Sequence, residues 1–346
     1  MIIAILVYAV ALLAFTIELG YGRRRRTVAE AAEEAAPEFA GVAAAGRTTA
    51  AAGESATSAV AGAGAVTETG AAATGAPGAS AASGRHGPAD DAAGATHRAG
   101  AVGLAATVLG FLVHGGMVAT RGLAVDRWPW GNMYEFVAAI TLGAVGTFLV
   151  VAFRYRARYL GAFVLIPVLL ALAINVRYLY VDAGPLVPAL HSYWIAIHVT
   201  AAIIATGAFT VSGASTVMYL MADRAERKRA AGEAVKGVLG RLPGAALLDR
   251  LAHRTVVFGF PLWTFAVIAG AIWADEAWGR YWGWDPKEVW SFITWVVYAG
   301  YLHSRATAGW RGRKAAIVSL IGFACLLFNF FAVNILFSGL HSYGGV

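Results

Sequence analysis

The sequence predicts an all-α polytopic membrane protein with about eight transmembrane helices. Three observations lead there. Of 346 residues, 59% are hydrophobic and only 14% charged, against roughly a quarter charged in soluble domains. The apolar residues fall in blocks of about 18 to 25, long enough to cross a bilayer. The basic residues are shared unevenly between the segments that join those blocks, as they are in membrane proteins.

The first block, Met1–Gly20, is closed by Arg23–Arg26. Its positive charges follow the apolar run and no small-residue cleavage site appears, so it reads as a retained span rather than a signal peptide. Residues 21–98 are Ala, Gly, Thr, Ser and Glu with few large apolar side chains. Such a stretch buries too little to offset its ordering entropy and reads as a flexible cytoplasmic linker, with His86 and His97 incidental. Seven more blocks follow at 99–119, 135–153, 159–179, 194–221, 255–273, 289–306 and 315–337, so that 99–346 forms a seven-helix core.

Starting outside, only Arg121, Arg127, Arg177, Arg280 and Lys287 of the 27 basic residues fall in outer segments. The other 22 lie in 21–98, 154–158, 222–254 and 305–314. That asymmetry predicts both termini outside, and it explains the net charge of +7 without nucleic acid. Cys325 is the single cysteine, in an apolar run. It reads as a small core residue, and any metal must be held by other ligands. No internal repeat and no evenly placed intramembrane carboxylates appear, which speaks against an ion-driven transporter.

The chemistry gathers between the sixth and seventh blocks. Five of the eleven tryptophans, Trp278, Trp282, Trp284, Trp290 and Trp295, fall within 278–295, with Gly279 and Gly283 among them. An interfacial belt explains one or two tryptophans per helix end. Five, with glycines that let a backbone come close to something flat, read as an aromatic platform for a large planar ligand. Asp285, Pro286 and Glu288 suit the N-cap, first turn and capping box of the next helix, so the two acids have a structural reading beside a binding one.

The histidines suggest what the ligand is, because a histidine in hydrocarbon is functional by default. His198 lies about four residues, or roughly 6 Å, into the fifth span. His341 follows the last span directly. Both fall at the outer level of the Trp-rich loop, and two imidazoles with an aromatic bed are what a six-coordinate haem requires. His191, seven residues before His198, competes for the same role. His303 lies about 14 residues, or roughly 21 Å, into the seventh span and cannot reach the outer site. It needs a mate at its own depth, which this chain does not offer: His114 is near the outer end of the second span, a packed polar residue, and His253 falls in the cytoplasmic loop. A second outer segment carries Arg127, Trp128, Trp130 and Glu135; Arg127, Arg121, Arg280 and Lys287 are the loop cations outside, and the arginines among them are candidate counter-ions for haem propionates.

These segments resemble a known family. Trp278 through Glu288, Trp-Gly-Arg-Tyr-Trp-Gly-Trp-Asp-Pro-Lys-Glu, is similar to the tryptophan-rich WWD signature of haem-handling membrane proteins. Gly131–Glu135, Ser192–Val199, Tyr301–His303 and Gly339–Gly344 resemble, in order, the CcsA/ResC family of system II cytochrome c maturation. The resemblance covers about 100–346, with the WWD segment at 276–290. It implies the integral membrane part of a cytochrome c synthase in the plasma membrane, with the WWD segment on the outer face. It implies haem b held transiently by His198 and His341, and His303 as one ligand of a haem within the membrane. It also implies a CcsB/ResB-type partner supplying the second inner ligand, apocytochrome c offering its CxxCH motif, and thiol-reducing proteins outside. A haem exporter or chaperone without synthase role, and a b-type electron-transfer subunit, are the alternatives.

Overall fold

The computed structural model describes residues 1–21, 88–185, 188–307 and 309–341. The linker reading for 21–98, and His86 within it, lie largely outside them. Helix α1 is Ile2–Tyr21, α2 Pro88–Leu123, α3 Met133–Arg154, α4 Gly161–Tyr178, α5 Tyr193–Ala230, α6 Ala245–Trp278 and α7 Pro286–Thr307. Helix α8, Arg313–Leu327, runs through a π-helical turn, Phe328–Ala332, into the short α9, Val333–Leu336. No strand occurs among the described residues.

The helix boundaries follow local chemistry. Asn132 caps α3 and Ser192 caps α5 through their side-chain oxygens. Gly279 ends α6 in the left-handed region at φ 68°, its N–H bonded to the Asp275 carbonyl. Helices α5 and α6 run to 38 and 34 residues, further than their apolar cores suggest, because their polar ends continue past the hydrocarbon. His253 therefore sits inside α6 and not in a loop, its ring 5.9 Å from that of Tyr301 on α7. Helix α2 likewise begins ahead of its apolar block and takes in His97.

Seven helices among the described residues are long and apolar enough to cross a membrane. The chain is an all-α multi-pass membrane protein. Helix α7 is not among the seven because Lys287, Glu288, His303 and Arg305 dilute its hydropathy. Its 22 residues span roughly 33 Å at 1.5 Å each, enough to cross the same layer. It runs antiparallel to α6: Trp263 Nε1 donates to the Ser291 carbonyl at 3.3 Å, and Arg305 forks onto Asp249 at 2.8 and 3.0 Å.

Helix α5 lies between two buried clusters. Tyr8, Phe15, Phe148, Leu165 and Met218 join it to α1, α3 and α4. Phe209, Trp263, Tyr298 and Phe330 join it to α6, α7 and α8, with Phe209 stacked on Tyr298 at 4.0 Å. Leu6, Leu13, Leu112, Ile166, Leu170, Ile268 and Ile317 point outward, as lipid contact requires. Interactions of the helix ends sort into two levels. At one are Arg121–Glu135, Ser192–Glu276 and Asp285–His341. At the other are Arg158–Glu18, Arg305–Asp249 and Arg313–Asp223.

Candidate functional site: a histidine-flanked cavity

At the first of these ends a cavity of about 1080 Å³, mouth included, opens between α3, α5, α6, α7 and the π-helical turn. It is the size of a pocket for a large organic ligand. Both His198 and His341 line it, with Trp130, Trp282 and Trp273.

His198 projects from the second turn of α5 onto α6. Its Nδ1 donates to the Ala266 carbonyl at 2.7 Å. This bond fixes the tautomer with the proton on Nδ1 and the lone pair on Nε2. The ring fits there because residue 270 is glycine: a Cβ at Gly270 would meet the imidazole at 2.7 Å. Trp273, one turn on, stacks beside His198 at 6.0 Å and 13° and anchors its indole N–H on the Ala189 carbonyl at 2.9 Å.

His341 reaches the same tryptophan from the other side of the chain, its ring 5.6 Å from Trp273 and 4.9 Å from Trp278. Its Nδ1 donates to Asp285 Oδ1 at 2.9 Å. Burial pushes the His341 imidazole below its ordinary 6.5, against the pull of that carboxylate. Burial would raise Asp285, but hydrogen bonds from His341 and from the Leu340 and Lys287 N–H groups outweigh it and hold the carboxyl at about 2. The pair is thus a neutral imidazole donating to a carboxylate, with its proton on Nδ1.

Asp285 has the expected capping role and also ties down the C-terminal segment. Its Oδ1 accepts the Lys287 N–H at the start of α7, and Glu288 Oε2 reaches back to the Asp285 N–H at 3.1 Å, closing a capping box. Meanwhile Oδ2 accepts the Leu340 N–H at 2.7 Å and docks the C-terminal segment.

Other expectations are redistributed. Gly279 and Gly283 serve the loop's own fold: the first is the left-handed cap of α6, and the second lies under the Arg280 guanidinium. Trp282 lines the cavity, Trp278 packs behind it on Trp273, and Trp284 stands 66% exposed at φ 59°. The tryptophans form a wall and rim, not one flat bed: Trp282 and Trp284 meet at 90°. His191 is exposed and outside the cavity lining.

Neither Arg127 nor Glu135 reaches the cavity lining. Glu135, its side chain fully buried, accepts Arg127 at 2.7 and 3.0 Å, Arg121 at 2.8 Å and the Gly131 N–H at 2.8 Å. Arg127 spends its remaining donors on the Gly184 and Trp128 carbonyls. This network holds Trp130 at the cavity from behind.

His303 is exposed on α7, two residues before the Arg305–Asp249 pair and far from the cavity. His114 is fully buried against Tyr8, 3.5 Å from its hydroxyl. Cys325 is half-buried in α8.

A family model described as "Cytochrome C assembly protein" matches residues 130–341, more than half of the chain. The chain belongs to the cytochrome c assembly family. The matched stretch begins at Trp130 and ends at His341, both of which line the cavity. Among similar proteins, a "Cytochrome c biogenesis protein CcsA" of Trieres chinensis is 36% identical over 270 residues, covering 70% of this chain and 84% of its own. Those of Guillardia theta and Gloeobacter violaceus, with the same printed name, are 34% and 32% identical over 257 and 292 residues. Each covers 70% of this chain, and 85% and 86% of its own length.

Three parts of this assembly-family site were not legible as residues of interest. Trp273 looked like one apolar helix residue among many. Gly270 has meaning only once His198 is placed over it. The Ala266 carbonyl is a backbone group that no side-chain pattern marks.

Proposed function

We propose that this chain takes part in cytochrome c biogenesis by holding haem b at the outer face of the plasma membrane and presenting it to apocytochrome c. The observation that carries the reading is the matched preparation of two histidines on one cavity. Each commits Nδ1 to a neighbour, Ala266 O or Asp285 Oδ1, and each lies against Trp273. This donor set fits haem iron: two neutral imidazoles, no thiolate, and aromatic walls that keep water away. Among the described residues there is no cluster of three or more His, Cys, Asp or Glu for a bare metal ion.

On this reading the residues divide the work. His198 and His341 supply the axial nitrogens, Asp285 and the Ala266 carbonyl orient them, and Trp130, Trp273 and Trp282 exclude solvent. The apocytochrome brings the CxxCH thiols. Each S–H adds across one haem vinyl group, sulfur bonding to one carbon and the proton going to the other, so no oxidant is consumed. The thiols must arrive reduced, which calls for thiol-reducing proteins outside.

His303 belongs to an earlier stage, as one ligand on the way in, with its mate on a CcsB/ResB-type membrane protein. Its exposure on α7 supports a ligand shared across a subunit boundary. If so, His303→Ala with that partner present lowers haem per protein although the outer cavity is untouched; an unchanged ratio refutes the entry role.

The direct test is holocytochrome c formation by His198→Ala and His341→Ala in membranes with normal protein levels. Both should abolish it, and added imidazole should restore part of it. Normal maturation in either variant would overturn the reading.

A further inference from the structure

The cavity walls are apolar, yet one strong cation faces into them. Lys287 sits in the first turn of α7 and lines the cavity. Its ammonium lies 5.3 Å over the Phe136 ring. No carboxylate stands within 4.0 Å of it among the described residues. Arg121 and Arg127 pair with Glu135, and Arg280, folded across Gly283, with Glu288 at 3.5 Å; neither these three nor Arg177 lines the cavity. Asp285, two residues away, has its oxygens engaged by His341, Leu340 and the Lys287 backbone.

A second donor on the same lining is also unsatisfied. The Trp130 indole Nε1–H is buried and has no acceptor. Trp130 and Phe136 pack on the same apolar cluster, with Leu190, Ile195 and Trp273. A buried N–H without an acceptor costs about 1–3 kcal/mol, and an uncompensated ammonium among apolar walls costs more. Both residues line the one cavity, and a carboxylate has an oxygen for each donor.

We infer that Lys287 and Trp130 form a carboxylate-binding site within the cavity, taking an acid group on the edge of the planar ligand. The inference rests on the haem reading and deepens it: the acid would be a propionate. A charge anchored there fixes the rotation of a macrocycle about the axis between its two imidazoles. Axial ligation alone leaves that rotation free. The anchor thus decides which edge of the ring faces the cavity mouth.

The test compares haem with its dimethyl ester, which keeps iron, ring and vinyl groups but has no carboxylates. The purified chain, in complex with its membrane partner and stripped of pigment, is titrated with each, following the low-spin Soret band. A charge-assisted hydrogen bond corresponds to roughly tenfold or more in affinity. Lys287→Met should therefore weaken haem by about tenfold while leaving the ester within about twofold of wild type. Lys287→Arg, which keeps the charge, should stay near wild type for both. Trp130→Phe should weaken haem, and not the ester, by about threefold, in line with a neutral donor. Quoting each variant against wild type for the same ligand cancels partition into detergent. Equal loss of haem and ester in Lys287→Met, or no loss of either, overturns the anchor while low-spin binding still upholds the haem reading. Failure of wild type to bind either ligand overturns both.

Discussion

Two loops at the cavity end are built to the same plan and do different work. Trp128-Pro-Trp130-Gly131-Asn132 leads into α3, and Trp282-Gly-Trp284-Asp285 leads into α7. In both, a polar N-cap is answered three residues later by a glutamate, Glu135 or Glu288. Each glutamate also binds a glycine N–H just upstream, Gly131 or Gly283, at 2.8 Å. The difference lies in the cap. Asn132 is neutral and spends its side-chain oxygen on the Glu135 N–H at 3.0 Å. Asp285 carries a charge and a second oxygen, so after capping α7 it still holds His341 and Leu340. The charge balance differs in the same sense. Glu135 consumes two arginines and closes its loop into a brace, whereas Glu288 takes one longer contact and leaves Lys287 facing the cavity. Both loops reach the cavity, but only the second engages a histidine, through a carboxylate where the first has an amide.

Removing that carboxylate should have the largest effect. Asp285→Asn turns the second cap into a copy of the first and leaves His341 without its charged acceptor. Loss of such a partner typically costs about 10- to 100-fold in metal affinity, and haem titration of the purified protein should show a fall of that size. The reciprocal Asn132→Asp leaves both histidines with their Nδ1 partners and should cost haem affinity far less. Equal losses in the two variants would erase the contrast between the loops.

Breaking the brace should affect stability instead. Glu135→Gln leaves two arginines without their buried partner, and breaking a buried pair costs about 3–5 kcal/mol. Thermal unfolding should show it, with haem per folded protein intact. Glu288→Gln should unfold less readily than Glu135→Gln, because its Arg280 partner is 3.5 Å away and 32% exposed.

The smallest effect is one of pH. Burial holds the His341 pKa below 6.5, so its neutral form, and the ligation that needs it, is fully present above 6.5 and lost only as pH falls through the lowered value. Asp285, held at about 2, stays ionised throughout that range. Haem retention should be flat from about pH 8 to 6.5 and decline below. In Asp285→Asn the carboxylate's pull on His341 is gone, and the decline should move to still lower pH even though affinity is weaker. A decline that moves upward would contradict the assigned direction.

Much of this was legible in the sequence. Apolar block length marked the spans, and α7, diluted by its own polar residues, falls short of the hydropathy of its neighbours. The pattern Asp285-Pro286-Lys287-Glu288 announced a capping box, because capping is local and three residues suffice to encode it. His191 falls in the outer loop after Pro185 and Pro188 and His198 in the fifth span, and it is His198 that lines the cavity. What was not legible depends on tertiary contact. The glycines of the Trp loop looked like room for a ligand, yet Gly279 and Gly283 make room for the loop itself, while the glycine that opens space for the site is Gly270, on another helix. Arg127 and Glu135 looked like ligand contacts, since sequence shows two charges near each other but not that they neutralise one another. His253 was read as a loop residue because α6 extends past its apolar core.

On the proposed reading His198 and His341 bind one iron from the cavity walls, each presented by its Nδ1 partner. The most direct measurement is the ferric EPR spectrum of the purified chain loaded with haem. The wild type should give the low-spin signal of two imidazole ligands. His198→Ala and His341→Ala should each turn the outer-site signal high-spin, and imidazole should return both to low-spin. A low-spin signal persisting at wild-type haem content in either variant, without imidazole, would contradict the account.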